Sequence, residues 1–201
     1  MGKLLSPPGP RAAHLCIDMQ NLFAPGAPWA TPWMERVMPL AVALVEHAPM
    51  RTVFTRFIPP QNKHSARGIW KAYYEKWECV TRERLDPRML ELAAPLARHV
   101  PPASMIDRQT YCAFGNGRLQ HFLDGHHVDT LIISGGETDV CVLASVLAAV
   151  DFGYRVILAQ DALCSSSDES HDAMLDLYSK RFDVQIEVAA TETILDCWNP
   201  A

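Results

Sequence analysis

The sequence predicts one α/β domain, a mostly parallel six-stranded sheet with helices on both faces. Short runs rich in β-branched and aliphatic residues alternate with segments of helical apolar spacing. That alternation is typical of parallel strands joined by crossover helices. No linker or internal repeat divides residues 1–201, and residues 1–12, rich in proline and glycine, are expected to form a loose leader.

The elements follow from the apolar patterns in chain order. Buried parallel strands need short continuous apolar runs, whereas helices repeat apolar residues at intervals of three and four. Strands are expected at residues 14–17, 51–55, 104–107, 131–133, 155–159 and 184–188. Helices are expected at residues 33–46, from Trp70, at 87–97, from Leu119, from Thr138 or Asp139 to Val150, and at 168–181.

Composition narrows the function classes. The chain of 201 residues is 49% hydrophobic and carries a net charge of −5, without a basic stripe, so nucleic acid is not an expected partner. No apolar run approaches the roughly 20 residues that span a bilayer, so no membrane association is expected. Six cysteines without CxxC spacing favour reduced thiols in the cytoplasm over a disulfide framework.

The segment after the fourth strand carries the strongest chemical signal. Gly135 and Gly136 break the strand, and Thr138 or Asp139 is expected to cap a helix with Cys141 in its first turn. The free N–H groups and positive dipole end of a helix favour a thiolate there and can receive an oxyanion. On this basis iodoacetamide should label Cys141 ahead of the other cysteines. The alternative is a small buried thiol that packs like alanine.

Two other predicted strands end at residues whose side chains could take part in catalysis, Asp18 and Arg108. The carboxyl ends of central strands in a doubly wound sheet converge on one crevice, so both side chains are expected to meet Cys141 there. A carboxylate beside a thiol can act as general base and then as general acid, and a fixed cation keeps it ionised. The alternatives are a turn aspartate and a structural salt-bridge arginine.

Aromatic residues form a stripe at helical spacing, Trp70, Tyr73, Tyr74 and Trp77. Such a stripe is more often part of a core or a subunit interface than of a substrate cage. The polar loop at residues 165–167, with Asp161, is expected to shape a subunit edge.

These motifs resemble the isochorismatase-like cysteine hydrolases over nearly the whole chain. The matching runs are IDMQNLF at Asp18, DRQTYCAF at Arg108, GGETDVCV at Cys141 and GYRVILAQDA at residues 153–162. The resemblance implies a Rossmann-like fold, a homo-oligomer (dimer or tetramer), and a catalytic Asp–Lys–Cys set in which Asp18 is the base and Cys141 the nucleophile. It also implies a cis peptide between Gly136 and Glu137, with the N–H groups of Glu137 and Cys141 as the oxyanion hole. The candidate substrate-binding residues are Gln20, Phe23, Arg56, Trp70, Tyr111 and Phe114.

The chain departs from the family pattern at two places. Arg108 stands for the family lysine and Cys112 for a serine, and arginine keeps the charge but cannot release a proton. Nicotinamidase-type relatives carry an Asp-x-His run after the second strand, whereas residues 55–60 lack it and His64 stands alone, so no metal and no cofactor are expected. Arg56 occupies that place and either grips a substrate carboxylate or, more commonly for an arginine, pairs with Asp or Glu at the surface.

The resulting prediction is a metal-independent cysteine hydrolase that cleaves a C–N bond of a small amide, carbamoyl or related molecule through an acyl-enzyme. The substitution at Arg108 leaves an alternative, a catalytically weakened family member that binds a small molecule or a protein. Vinyl-ether hydrolysis is a third option, disfavoured because it offers no acyl carbon for Cys141 to attack.

Overall fold

The computed structural model describes residues 4–200, which are built on a six-stranded sheet with strand order β3-β2-β1-β4-β5-β6. Every pair of neighbouring strands is parallel, which confirms the predicted fold class. The strands are β1 (Ala12–Ile17), β2 (Thr52–Phe57), β3 (Ser104–Arg108), β4 (Thr130–Gly136), β5 (Arg155–Cys164) and β6 (Ile186–Ala189).

Seven α-helices accompany the sheet within residues 4–200. They are α1 (Met34–His47), α2 (Trp70–Lys76), α3 (Ala94–Ala97), α4 (Arg118–Gly125), α5 (Leu143–Asp151), α6 (Asp168–Arg181) and α7 (Thr191–Cys197). The sequence patterns did not predict α7. None of the helices in this range is long and apolar enough to cross a membrane.

The prediction of a single helix at residues 87–97 is wrong. A 3₁₀ turn at Pro87–Leu90 and the short helix α3 stand there instead, separated by extended backbone. That backbone bonds to the loop after β1: Leu92 forms an antiparallel bridge with Gln20, and the Ala93 N–H donates to the Met19 carbonyl oxygen. Tertiary pairing therefore overrides the local helical pattern.

Part of the predicted leader forms hydrogen bonds with the sheet; residues 1–3 lie outside the described residues. The Leu5 N–H donates to the Glu187 carboxylate at 2.7 Å. Arg155, itself paired with Glu187, donates to the carbonyl oxygens of Ser6 and Pro7. Residues 5–7 are thus held against the edge of the sheet.

The strand order places β1 and β4 side by side at the point where the chain switches direction across the sheet. In such folds the crevice beyond the carboxyl ends of these two strands is the usual ligand site. Ile17, the last residue of β1, is in register with Gly135 of β4. Gly135 has φ +103°, and a Cβ added there would lie 2.1 Å from the Ile17 carbonyl oxygen, so only glycine fits this close approach.

Candidate active site

Asp18 follows β1 directly and is held in an uncommon conformation. Its φ of +51° lies in the left-handed region, which aspartate tolerates better than most residues. The residue is 2% exposed. One carboxylate oxygen accepts a 2.7 Å hydrogen bond from the Thr55 hydroxyl, and the other accepts from Arg108. The carboxylate is therefore fixed by partners on β2 and β3.

Arg108 ends β3 and is 1% exposed, one of the largest fully buried side chains of the described residues. One terminal nitrogen donates to the Asp18 carboxylate and the other to the Thr110 carbonyl oxygen. The guanidinium carbon lies 5.3 Å from the ring centroid of Phe57, which faces Arg108 in the β2–β3 register. Burial lowers the pKa of Arg108, but an arginine side chain stays charged in proteins.

Cys141 lies in a single π-helical turn, Thr138–Val142, between β4 and α5. The peptide bond between Gly136 and Glu137 at the start of this segment is cis. Cys141 is 5% exposed, and the Arg108 guanidinium and the backbone N–H of Glu137 lie close enough to lower the pKa of its thiol. Arg108 therefore lies near the sulfur and pairs with the Asp18 carboxylate.

The protonation of Cys141 differs from the sequence expectation. Burial raises the pKa of the thiol, and the nearby Glu137 carboxylate raises it further, while the Arg108 guanidinium and the Glu137 N–H oppose both effects. Burial is the largest contribution, so the pKa lies above its usual value. The expected thiolate is corrected to a neutral thiol in the free protein, because the sequence shows the helix end but not the loss of solvent.

Cys141 lines a cavity of about 300 Å³, whereas Asp18 and Arg108 are not among its lining residues. Half of the lining residues are aromatic and come from the loop after β1, the end of β2, helix α2 with its C-terminal end, and the loop after β3. The rings are those of Phe23, Trp29, Phe57, Tyr73, Trp77 and Tyr111. Phe23 and Tyr111 thus lie where the sequence predicts, and half of the aromatic stripe, Tyr73 and Trp77, lines the cavity rather than only packing in a core.

A family model, the isochorismatase domain, matches residues 12–190. The chain belongs to this family. It is similar to the maleamate amidohydrolase of Pseudomonas putida, at 28% identity over 183 residues that cover 88% of this chain and 83% of that protein. Nicotinamidase 3 of Arabidopsis thaliana is 27% identical over 165 residues, 82% of this chain and 78% of that protein. The crystal structure of a cysteine hydrolase from Pseudomonas syringae has a TM-score of 0.82 at 22% identity, over 98% of this chain and 97% of that one.

Membership of the isochorismatase family confirms the resemblance inferred from the motifs and places the chain among that family's hydrolases. The likeness to the Pseudomonas syringae structure shows a shared fold. The positions of the remaining candidate residues come from this chain's own structure.

Four predicted substrate-binding residues of this isochorismatase-family domain do not line the cavity. The Gln20 amide is buried and bonds to the backbone of Phe57 and to the Leu90 carbonyl oxygen, so its polar atoms are already used. The Phe114 ring packs away from the cavity, against the rings of Phe152 and Tyr154.

Arg56 and Trp70 lie outside the cavity because of the directions in which their side chains point. Arg56 precedes Phe57 on β2, and because side chains alternate along a strand it points to the opposite face. There it pairs with Asp107 at 2.8 Å and with Glu91 at 3.0 Å. The Trp70 ring lies behind the cavity wall, 4.8 Å from the ring of Tyr111, and supports the wall rather than forming it.

Sequence reasoning missed six residues that line the cavity: Pro28, Trp29, Ala30, Phe57, Val140 and Ser166. Trp29 sits in a proline-rich loop without periodicity, so its pattern carries no signal. Ser166 belongs to the polar loop expected at a subunit edge, and that expectation is corrected by its position beside the cavity. Phe57 could have been found from the alternation of side chains along β2.

The residues at the metal position of nicotinamidase-type relatives do not fit a metal ion here. A guanidinium has no lone pair to donate, and Arg56 already pairs with the carboxylates of Asp107 and Glu91. Across residues 4–200, no group of three or more His, Cys, Asp and Glu side chains is arranged to hold a metal ion.

Proposed function

We propose that this protein is a cysteine-dependent amidohydrolase that cleaves the C–N bond of a small amide or carbamoyl compound without a metal ion. The observation that carries the proposal is the position of one guanidinium, Arg108, which pairs with the Asp18 carboxylate and lies close enough to Cys141, a residue of the cavity wall, to lower the pKa of its thiol. The names of similar proteins, a maleamate amidohydrolase and a nicotinamidase, support amide hydrolysis as the reaction class.

In the proposed reaction Asp18 takes the proton of the Cys141 thiol, and the sulfur attacks the carbonyl carbon of the amide. The N–H groups of Glu137 and Cys141 receive the oxyanion of the tetrahedral intermediate. Protonated Asp18 then gives the proton to the leaving nitrogen as the C–N bond breaks, which leaves a thioester. Asp18 next takes a proton from water, and the resulting hydroxide attacks the thioester carbon. The C–S bond then breaks, the acid product leaves, and Asp18 returns the proton to the sulfur of Cys141.

Arg108 supports this sequence as a fixed charge. Its ion pair stabilises the Asp18 carboxylate, and its positive charge near Cys141 lowers the pKa of the thiol and so stabilises the thiolate as it forms. A guanidinium does not exchange protons at neutral pH, so all proton transfer in the proposal passes through Asp18.

A screen of small primary amides, ureas and carbamates for release of ammonia tests the proposal. Turnover of a hit should fall by about a thousandfold or more in Cys141→Ala and in Asp18→Asn. Cys79→Ala, which removes an exposed thiol, is the matched control and should keep full activity. Activity retained in Cys141→Ala, with an unchanged circular dichroism spectrum, would refute the covalent mechanism.

A second candidate function, binding without efficient turnover, is favoured by two observations. The nucleophile is a thiol with a raised pKa, and the family lysine is replaced by an arginine whose terminal nitrogens both have partners. The Arg108→Lys experiment in the Discussion separates the two candidates. The cytoplasmic location and the homo-oligomeric state stay predictions of the sequence.

A further inference from the structure

In the part of the chain that the structure describes, the lining of the cavity beside Cys141 includes an acidic residue but no basic one. Among residues 4–200, the only charged residue that lines it is Glu137; no lysine, arginine or histidine does. Arg108 is not a lining residue and is buried in its ion pair with Asp18. A ligand that fills the cavity therefore meets aromatic rings and one negative charge.

The Glu137 carboxylate lies beside Ser166, another residue of the cavity wall, and forms no ion pair within residues 4–200. Burial is the main cause that raises the pKa of the phenols of Tyr73 and Tyr111, and the negative charge of Glu137 adds to it, as it does for Cys141. One carboxylate oxygen accepts a 3.2 Å hydrogen bond from the Ser166 N–H. Within residues 4–200, Glu137 takes part in none of the ion pairs.

The aromatic wall is organised around Trp29. The centroid of its ring lies between 5.7 and 6.1 Å from the ring centroids of four neighbours, Phe23, Phe57, Tyr73 and Trp77. Clustered aromatic faces attract cations through their quadrupoles, most strongly when the cation is removed from water. Two of these rings already lie near cations of the protein itself. Lys76 lies 5.5 Å from the ring centroid of Trp77, and Arg108 lies 5.3 Å from that of Phe57.

We propose that the cavity selects amides whose far end carries a fixed positive charge, an ammonium or quaternary ammonium group. The Glu137 carboxylate and the rings around Trp29 hold this group while the amide carbonyl faces Cys141. The same wall disfavours a substrate carboxylate, which would meet Glu137 without a cation to pair with. This inference rests on the proposed amidohydrolase function and assigns its substrate class.

Three amides of similar size and different charge test the proposal: trimethylammonioacetamide, its neutral analogue tert-butylacetamide, and malonamate. The value of kcat/KM should be about tenfold higher for the cationic amide than for the neutral one, and lowest for malonamate. A neutral or anionic amide that is used as well as the cationic one would overturn the proposal.

Variants identify the groups responsible. Glu137→Gln keeps the acceptor for Ser166 but removes the charge, so it should lower the cationic-to-neutral ratio of kcat/KM by about tenfold. The ratio is the proper readout because the pKa of Cys141 changes equally for both amides. Glu192→Gln, on the exposed face of α7, is the matched control and should leave the ratio unchanged. Trp29→Leu should lower the ratio and Trp29→Phe should largely keep it; an unchanged ratio in both Glu137→Gln and Trp29→Leu contradicts the assignment.

Binding separates this inference from the proposed function. Titration calorimetry with the Cys141→Ala variant compares the Kd values of the same cationic and neutral amides without turnover. Tighter binding of the cation, lost in Cys141→Ala/Glu137→Gln, supports the inference even if the wild-type chain hydrolyses none of the amides, a result that would refute only the hydrolase proposal. Equal Kd values would overturn the inference whatever the activity.

Discussion

Arg56 and Arg108 lie on neighbouring strands, are one register position apart, and are both paired with aspartates, yet their surroundings differ. In the β2–β3 register Arg56 faces Asp107, and Arg108 faces Phe57. Side-chain alternation sends the first pair to the outer face, where the Arg56 side chain is 14% exposed and Asp107 41% exposed. It sends Arg108 inward, where the arginine is 1% exposed and its partner Asp18 is fully covered.

The comparison shows that burial, rather than residue type or pairing, separates a structural arginine from a candidate catalytic one. An ion pair near solvent is screened and contributes little to stability. A fully buried pair has lost its hydration, so each partner depends on the other, and breaking the pair leaves an uncompensated charge. Only the buried arginine lies close enough to Cys141 to lower the pKa of its thiol.

Removal of each arginine tests this contrast most strongly. Arg108→Met should lower the free energy of unfolding by about 3–5 kcal/mol, because it leaves the Asp18 carboxylate buried without a positive charge to pair with. Arg56→Met should lower it by about 1 kcal/mol or less, since water can solvate Asp107. Urea unfolding followed by circular dichroism measures both, and equal losses would contradict the contrast.

A double-mutant cycle serves as the control for that prediction. Arg108→Met combined with Asp18→Asn should be clearly more stable than the sum of the two single losses implies, because no buried charge then remains. The corresponding cycle for Arg56 and Asp107 should show coupling of about 1 kcal/mol or less.

Exchange of the cation sharpens the comparison. Arg108→Lys should lower kcat/KM by about tenfold or more, since an ammonium cannot reproduce the hydrogen bonds to Asp18 and Thr110 that the planar guanidinium makes close to Cys141. Arg56→Lys is the matched control and should stay within about twofold, because its pair lies outside the cavity. A rate gain in Arg108→Lys would favour a chain whose chemistry is weakened by its arginine.

Alkylation of the thiols is the test with the smallest expected effect. At neutral pH iodoacetamide should label the exposed Cys79 severalfold faster than the buried Cys141, whose raised pKa keeps it protonated. Labelling of Cys141 should accelerate as the pH rises toward that pKa, because the thiolate is the reactive form. Arg108→Met should slow it and Arg56→Met should not, as followed by mass spectrometry; preferential labelling of Cys141 at neutral pH would contradict the assigned protonation.

The sheet and the candidate catalytic residues could be predicted from the sequence. Continuous apolar runs mark buried parallel strands, and a parallel sheet brings the ends of its central strands to one crevice. Asp18, Arg108 and Cys141 each follow or end such a strand or lie just beyond it. Their convergence therefore follows from topology, without knowledge of any side-chain contact.

The remainder of the site depends on information that one-dimensional patterns lack. The direction in which Arg56 points requires the registration of β2, and the pKa of Cys141 requires its solvent exposure. Trp29, at the centre of the aromatic wall, lies in an irregular loop whose path is set by tertiary packing. The extended backbone at residues 91–93 was missed for the same reason.

The close approach of β1 and β4 at Gly135 limits which parts of the site tolerate substitution. Because β1 and β4 approach too closely there for any side chain, larger residues would push apart the two strands that carry Asp18 and Cys141. The aromatic rings come largely from loops and a short helix whose paths do not depend on that contact. Laboratory evolution toward new substrates would therefore be best directed at those rings, with Gly135 left unvaried.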